Sequence, residues 1–224
     1  LEGTQNLNSH LSTGSAKTER IALIIIVLFH IVGLIGFVIP SLTVLFIKLV
    51  PWHLLLMAGV IVYSYNQLST KFLLFGLLVF TIGFSAELIG VHTGLLFGNY
   101  GYGETLGIKL FNVPLMIGVN WFLLIFSTGV LMQRSRIKNI FIRVIVGGLV
   151  LTFLDVLIEP VAVHFDYWHW MRNSIPLKNY FCWFILSAAM LFVFEKFQFK
   201  PQSKAAGALL IMQFVFFIVL ELMN

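Results

Sequence analysis

Three carboxylates in apolar surroundings are the residues of this chain best placed to do chemistry. Asp155 and Glu159 lie in the stretch from Leu151 to Trp170, and Glu87 lies in a second apolar run. At the centre of a bilayer a carboxylate costs roughly 2.5–3.5 kcal/mol on insertion scales, so an intramembrane acid is functional by default. Asp155 and Glu159 are four residues apart and share one face of a helix. Pro160 has no N–H, leaves the Val156 carbonyl without its helical donor, and predicts a polar, kinked spot. Carboxyls crowded into an apolar site resist ionising together, so one is expected to hold a proton beside an ionised neighbour. General acid–base catalysis needs that arrangement. The plainer alternative is that the three acids only hydrogen-bond helix to helix.

The elements that must position these acids are membrane helices. The chain is 59% apolar and only 10% charged, and its mean hydropathy is strongly positive. Such a composition describes a polytopic all-α membrane protein without room for a separate soluble domain. Seven candidate spans run roughly over 20–39, 44–65, 71–91, 111–132, 141–164, 180–198 and 205–223, each near the length needed to cross the hydrocarbon core. Residues 1–19 are polar and are set apart as a segment, leaving 20–224 as one transmembrane domain. Ile21 to Ile39 is too long for a signal-peptide core and reads as a retained first helix. Lys48 and Pro51 interrupt the second span, so residues 42–50 are an alternative interfacial segment, which would reduce the count to six.

Loop charges orient the bundle. With the N-terminus cytoplasmic, one side holds Lys17, Arg20, Lys71, Arg134, Arg136, Lys138, Arg143, Lys196, Lys200 and Lys204, and the other only Lys48, Lys109, Arg172 and Lys178. The net charge of +5 is therefore a signal of membrane orientation before one of nucleic-acid binding, and no nucleic acid is expected as a partner. On the outer side two loops stand out. Gly90 to Lys109 alternates glycine with aromatics through Phe97-Gly98-Asn99-Tyr100-Gly101-Tyr102-Gly103, and Phe165 to Lys178 carries Tyr167, Trp168 and Trp170.

Around the acids, Asn120 and Trp121 fall inside the fourth span, and Asn179, Tyr180 and Trp183 begin the sixth. Asn can fix a carboxylate or a water, while Trp and Tyr rings attract cationic charge. Trp168 and Trp170 have a simpler reading as interfacial anchors. His92, His164 and His169 lie near the outer boundary without the spacing that aims two imidazoles at one ion, so no metal is expected; His30 and His53 read as structural. Cys182, the lone cysteine, excludes an intrachain disulfide and a cysteine metal cage.

Several familiar chemistries are absent from the sequence. There is no phosphate-binding loop, no GxGxxG opening a helix after a strand, no nucleophile elbow and no histidine box of a di-iron oxygenase. An aspartate-rich motif for a diphosphate is missing, and the last span has no lysine for a retinal Schiff base.

In several blocks the chain resembles the CruF-type carotenoid hydratases, integral-membrane proteins of carotenoid biosynthesis. These are Glu87 with Gly90-Val91-His92-Thr93-Gly94, then Phe97 to Tyr102, Leu106 to Phe111, Val113-Pro114 and Asn120-Trp121. Asp155 through Glu159-Pro160-Val161-Ala162, Tyr167-Trp168, Ile175-Pro176, Asn179-Tyr180 and Trp183 complete the set. The likeness covers about residues 80–185; the family has glycine where Asn112 stands. It implies cofactor-independent hydration of the terminal C=C of an acyclic, lycopene-like carotenoid to a tertiary alcohol, in the cell membrane, alongside other carotenoid-pathway enzymes.

Read onto this sequence, Asp155 is the expected acid and Glu159 or Glu87 positions water. Asn120, Trp121, His92, Asn99, Tyr100, Tyr167, Trp168, Asn179, Tyr180 and Trp183 are the expected water-positioning or cation-stabilising set. An end-group cyclase or isomerase on the same cation, a proton-coupled transporter and a non-catalytic carotenoid-binding protein are the competing readings.

Overall fold

The computed structural model describes residues 2–65, 68–172, 174–200 and 203–223, with side chains from Ala16 onward. Seven α-helices are present among the described residues: α1 (Glu2–Val38), α2 (Pro40–Ser64), α3 (Thr70–Thr93), α4 (Leu115–Arg134), α5 (Ile140–His164), α6 (Leu177–Phe197) and α7 (Ala205–Met223). Each is long and apolar enough to cross a membrane, the window in α1 being Ala16–Val38.

Local chemistry marks the ends. Pro40 occupies the first turn of α2, where its missing N–H costs nothing. Ser69 accepts from the Phe72 N–H to start α3, and Gly94, at φ 64°, ends it in the left-handed conformation. Asn139 accepts from the first-turn amides of α5. Pro51 and Pro160 both lie inside continuous helices, so residues 42–50 belong to one helix that begins at Pro40. α4 starts at Leu115, four residues later than the hydropathy predicts, because 109–114 is taken up by a hairpin.

α4 is the central helix: 72% of its span window is buried, against a third or less in the others. It packs against α2, α3, α5, α6 and α7. α5 and α6 form a close pair, as do α1 and α2, and α7 closes the bundle against α1, α4 and α5. The Lys204 N–H donates to Glu19 Oε2 at 2.9 Å, tying the start of α7 to α1.

Hydropathy does not reveal the four short strands found among the described residues at one end of the bundle. β1 (Tyr100–Tyr102) pairs antiparallel with β4 (Trp168–Trp170), joining the loop after α3 to the loop after α5. β2 (Lys109–Leu110) and β3 (Val113–Pro114) form a hairpin. At its turn Phe111 and Asn112 have φ of 51° and 65°. Two consecutive left-handed residues are what a type I′ hairpin turn requires, and asparagine is tolerated there almost as well as glycine.

Candidate functional site

The site begins with the β1–β4 ribbon. Its register sets Tyr100 opposite Trp170, Gly101 opposite His169 and Tyr102 opposite Trp168. Side chains alternate across a strand, so both tyrosines and both tryptophans share one face. That face is buried, while His169 on the other face is exposed. Tyr100 and Tyr102 are in edge contact, and Tyr100 lies 5.3 Å from the Trp170 ring.

The four rings deliver polar tips to two carboxyls. Tyr100 and Tyr102 donate their hydroxyls to Glu87 Oε2 at 2.6 and 2.7 Å, and Trp121 Nε1–H donates to Oε1 at 3.1 Å. Across the site, Trp168 and Trp170 both donate N–H to Glu159 Oε2, at 3.0 and 2.8 Å. Asn179 Nδ2 donates to Glu159 Oε1 at 3.1 Å and to Asp155 Oδ2 at 2.7 Å. Asp155 Oδ1 is buried without a hydrogen-bond partner. Burial, then the neighbouring Glu87 carboxylate, pushes both ribbon tyrosines above the usual range, so they remain O–H donors at neutral pH.

Two glycines on α3 permit these approaches. A Cβ on Gly83, one turn before Glu87, would meet the Trp121 side chain at 2.5 Å; one on Gly90 would meet the Tyr100 hydroxyl at 2.6 Å. Trp121 in turn stacks on Trp183, with centroids 4.4 Å apart.

Two cavities meet here. A small one of about 30 Å³ is lined by Glu87, Glu159, Tyr100, Tyr102, Trp168, Trp170, Asn120, Asn179 and Trp183, with Phe97, Ile117 and Ile158. That is room for a water, and polar groups surround it. A larger cavity of about 300 Å³ is almost wholly apolar and lies among α1, α2, α4 and α7. Asn120, Ile117, Ile158 and Trp168 line both cavities and so form their common wall. Phe29, Leu49 and Trp52 line the larger cavity and are also exposed on the bundle surface, which opens it sideways toward lipid.

The structure brings together most of the expected set. Glu87, Glu159, Asn120, Tyr100, Trp168, Asn179 and Trp183 line the small cavity; Trp121 bonds Glu87, and Tyr167 lines the larger cavity. Asp155 lines neither cavity and reaches the wall through Asn179. Three residues lie elsewhere. His92 is exposed and bonds the Phe111 carbonyl at 2.9 Å, steadying the hairpin turn. Asn99 is exposed and accepts from the Met171 N–H. Tyr180 is half-buried and borders neither cavity. Tyr102 and Trp170 were not assigned to the site from sequence, yet both touch a carboxyl. The alternation in Tyr-Gly-Tyr and Trp-His-Trp is the signal that could have found them.

Residues 48–224 match the family described as carotenoid biosynthesis protein. The chain belongs to that family. The bisanhydrobacterioruberin hydratase of Haloarcula japonica is 26% identical to it over 119 residues, half of this chain and 41% of that protein. The chain therefore aligns with less than half the length of this relative, and no solved structure matches it. Family and helices together describe a multi-pass membrane protein with a role in carotenoid biosynthesis.

Proposed function

We propose that this protein hydrates the terminal double bond of an acyclic carotenoid in the cell membrane, with its N-terminus cytoplasmic and the ribbon outside. The observation that carries the reading is a water-sized cavity between two carboxyls, walled off from a lipid-open apolar cavity by four side chains. Family membership and the name of the hydratase relative support the substrate class and reaction.

The polyene end enters the larger cavity from lipid and brings its terminal alkene to the wall formed by Asn120 and Trp168. At about 300 Å³ this cavity is at the small end of ligand sites and takes an end segment rather than a whole carotenoid. Glu87 protonates the alkene carbon next to the terminal one, the π electrons form the new C–H bond, and a tertiary cation remains. Water held by Glu159 adds to the cation, and Glu159 takes the released proton, which returns to Glu87 through the cavity. One alkene and one water give one tertiary alcohol, with no net proton.

Hydrogen-bond polarity divides the roles. A tryptophan N–H can only donate, so Glu159 Oε2, accepting two of them, is committed as an acceptor. A tyrosine hydroxyl can donate or accept, so Glu87 can carry a proton on Oε2 and keep both ring partners. This moves the acid from Asp155, the expectation from depth alone, to Glu87. Asp155 becomes a positioning residue that holds Asn179. Tyr100, Tyr102 and Trp183 line the small cavity, where their π faces stabilise the cation while the two tyrosine hydroxyls stay engaged with Glu87.

The test is pigment analysis by liquid chromatography–mass spectrometry in lycopene-accumulating cells expressing the chain. A product heavier by one water is expected. An isomer of unchanged mass overturns hydration in favour of a cyclase, and unchanged pigment despite inserted protein overturns the enzyme reading.

A further inference from the structure

Asn120 stands where the two cavities meet. The other residues lining the small cavity are all buried, whereas Asn120 is partly exposed and also lines the larger, apolar cavity. Ile117, one turn earlier on α4, lies on the same shared wall, while Trp121, the next residue, turns to Glu87. The hydroxyls of Tyr100 and Tyr102, the ribbon indoles and the Asn179 amide are engaged by the buried carboxyls. The Asn120 carboxamide makes no hydrogen bond among the described residues, and it offers an acceptor oxygen and two N–H groups at the wall. Glu159 has room for a further contact. An ionised carboxylate presents about four lone-pair sites, and three N–H groups occupy three of them here. The site that remains is on Oε1, which accepts from Asn179 alone.

We propose that Asn120 decides the outcome of the reaction: it holds the water against the alkene wall, so that the cation is hydrated instead of losing a proton. The proposal rests on the hydration reading above. The water donates one O–H to the Asn120 side-chain oxygen and the other to Glu159, which turns its oxygen lone pair toward the cationic carbon. The C–O bond forms from that lone pair while Glu159 takes the proton from the O–H it accepts. Without Asn120 the same cation has a second course. A C–H bond beside the cationic carbon breaks, its electrons form a C=C, and Glu159 receives the proton. The result is the starting alkene or its double-bond isomer, unchanged in mass. Neither course needs an oxidant or a reductant. One uncharged side chain thus separates hydration from isomerisation, two reactions that Glu87 and Glu159 alone would both support.

The test incubates the full chain in lipid nanodiscs with lycopene in D2O and separates hydrated from unhydrated pigment by liquid chromatography–mass spectrometry. Protonation by Glu87 then places deuterium on carbon, so a cation that forms and loses a proton marks the unhydrated pigment. Asn120→Val and Asn120→Thr have nearly the same shape and differ in one hydroxyl. Asn120→Val is expected to lower the hydrated share at least about tenfold while the unhydrated pigment gains deuterium. Asn120→Thr, which keeps an acceptor, is expected to stay within about threefold of native. Asn120→Leu replaces the valine variant if that one fails to insert. Hydration at the native share in Asn120→Val overturns the proposal, as does loss of deuterium uptake together with hydration, or a threonine variant no better than the valine one. A native protein that adds no water to lycopene removes the hydratase reading itself, so the two failures are distinct.

Discussion

The molecule buries carboxylates in two different ways at its two ends. Away from the ribbon, Glu195 on α6 receives Arg143 of α5 in a bidentate pair, Nε to Oε1 and Nη2 to Oε2, both at 2.7 Å. At the ribbon end, Glu87 and Glu159 are held by hydroxyls, indoles and an amide, none of them charged. Both solutions satisfy the oxygens. Only the first cancels the charge. A guanidinium beside Glu159 would neutralise the field that a forming carbocation needs, whereas neutral donors fix the carboxylate in place and leave its charge to act on the reaction. The difference separates a carboxylate that holds helices together from one that is available to chemistry.

Replacing the charge at the ribbon end should have the largest effect. Glu87→Gln and Glu159→Gln keep the volume and are each expected to lower turnover at least about a thousandfold, since each removes a proton-transfer group of the proposed mechanism. Product formation per mole of inserted protein measures this. Arg143→Met tests the other end. It leaves buried Glu195 without its bidentate guanidinium and should cost about 3 kcal/mol of stability while the pigment product is unchanged; a detergent-denaturation midpoint equal to the native one would contradict a structural pair.

Trp121→Phe sharpens the comparison further. It keeps the ring stack on Trp183 but removes the N–H at Glu87, and about a ten- to hundredfold loss of turnover is expected, with pigment binding intact. Smallest of all should be Asp155→Asn, within about tenfold of native, because in the proposed mechanism Asp155 acts through Asn179 rather than on the substrate. Complete loss with unaltered binding would return the acid to Asp155.

How much of this could be read in advance follows the physics of each part. Membrane spans are legible because hydrocarbon imposes length and apolarity on every one of them, and a charged Glu87, Asp155 or Glu159 stands out against that background. The ribbon is not, because three-residue strands between glycines leave no run long enough to show a period, and Trp168 and Trp170 look like interfacial anchors. Helix packing order is equally hidden. That His30, His53 and Gln213 share a wall of the larger cavity depends on α1, α2 and α7 meeting, which no spacing along the chain encodes. Glu195 escaped notice for the same reason, as its partner lies on another helix.

The ribbon also sets the order in which the protein can become itself during synthesis. Glu87 enters the bilayer with α3, but Trp121 arrives only with α4, and the strand that clamps Tyr100 and Tyr102 over Glu87 comes after α5. Glu159 must then await Trp168, Trp170 and finally Asn179 at the start of α6. Until that point the nascent chain holds acids in hydrocarbon with their donors still on the ribosome. The donor set is therefore complete only once the start of α6 has been made, and a chain truncated before α6 lacks the Asn179 amide that joins Asp155 to Glu159.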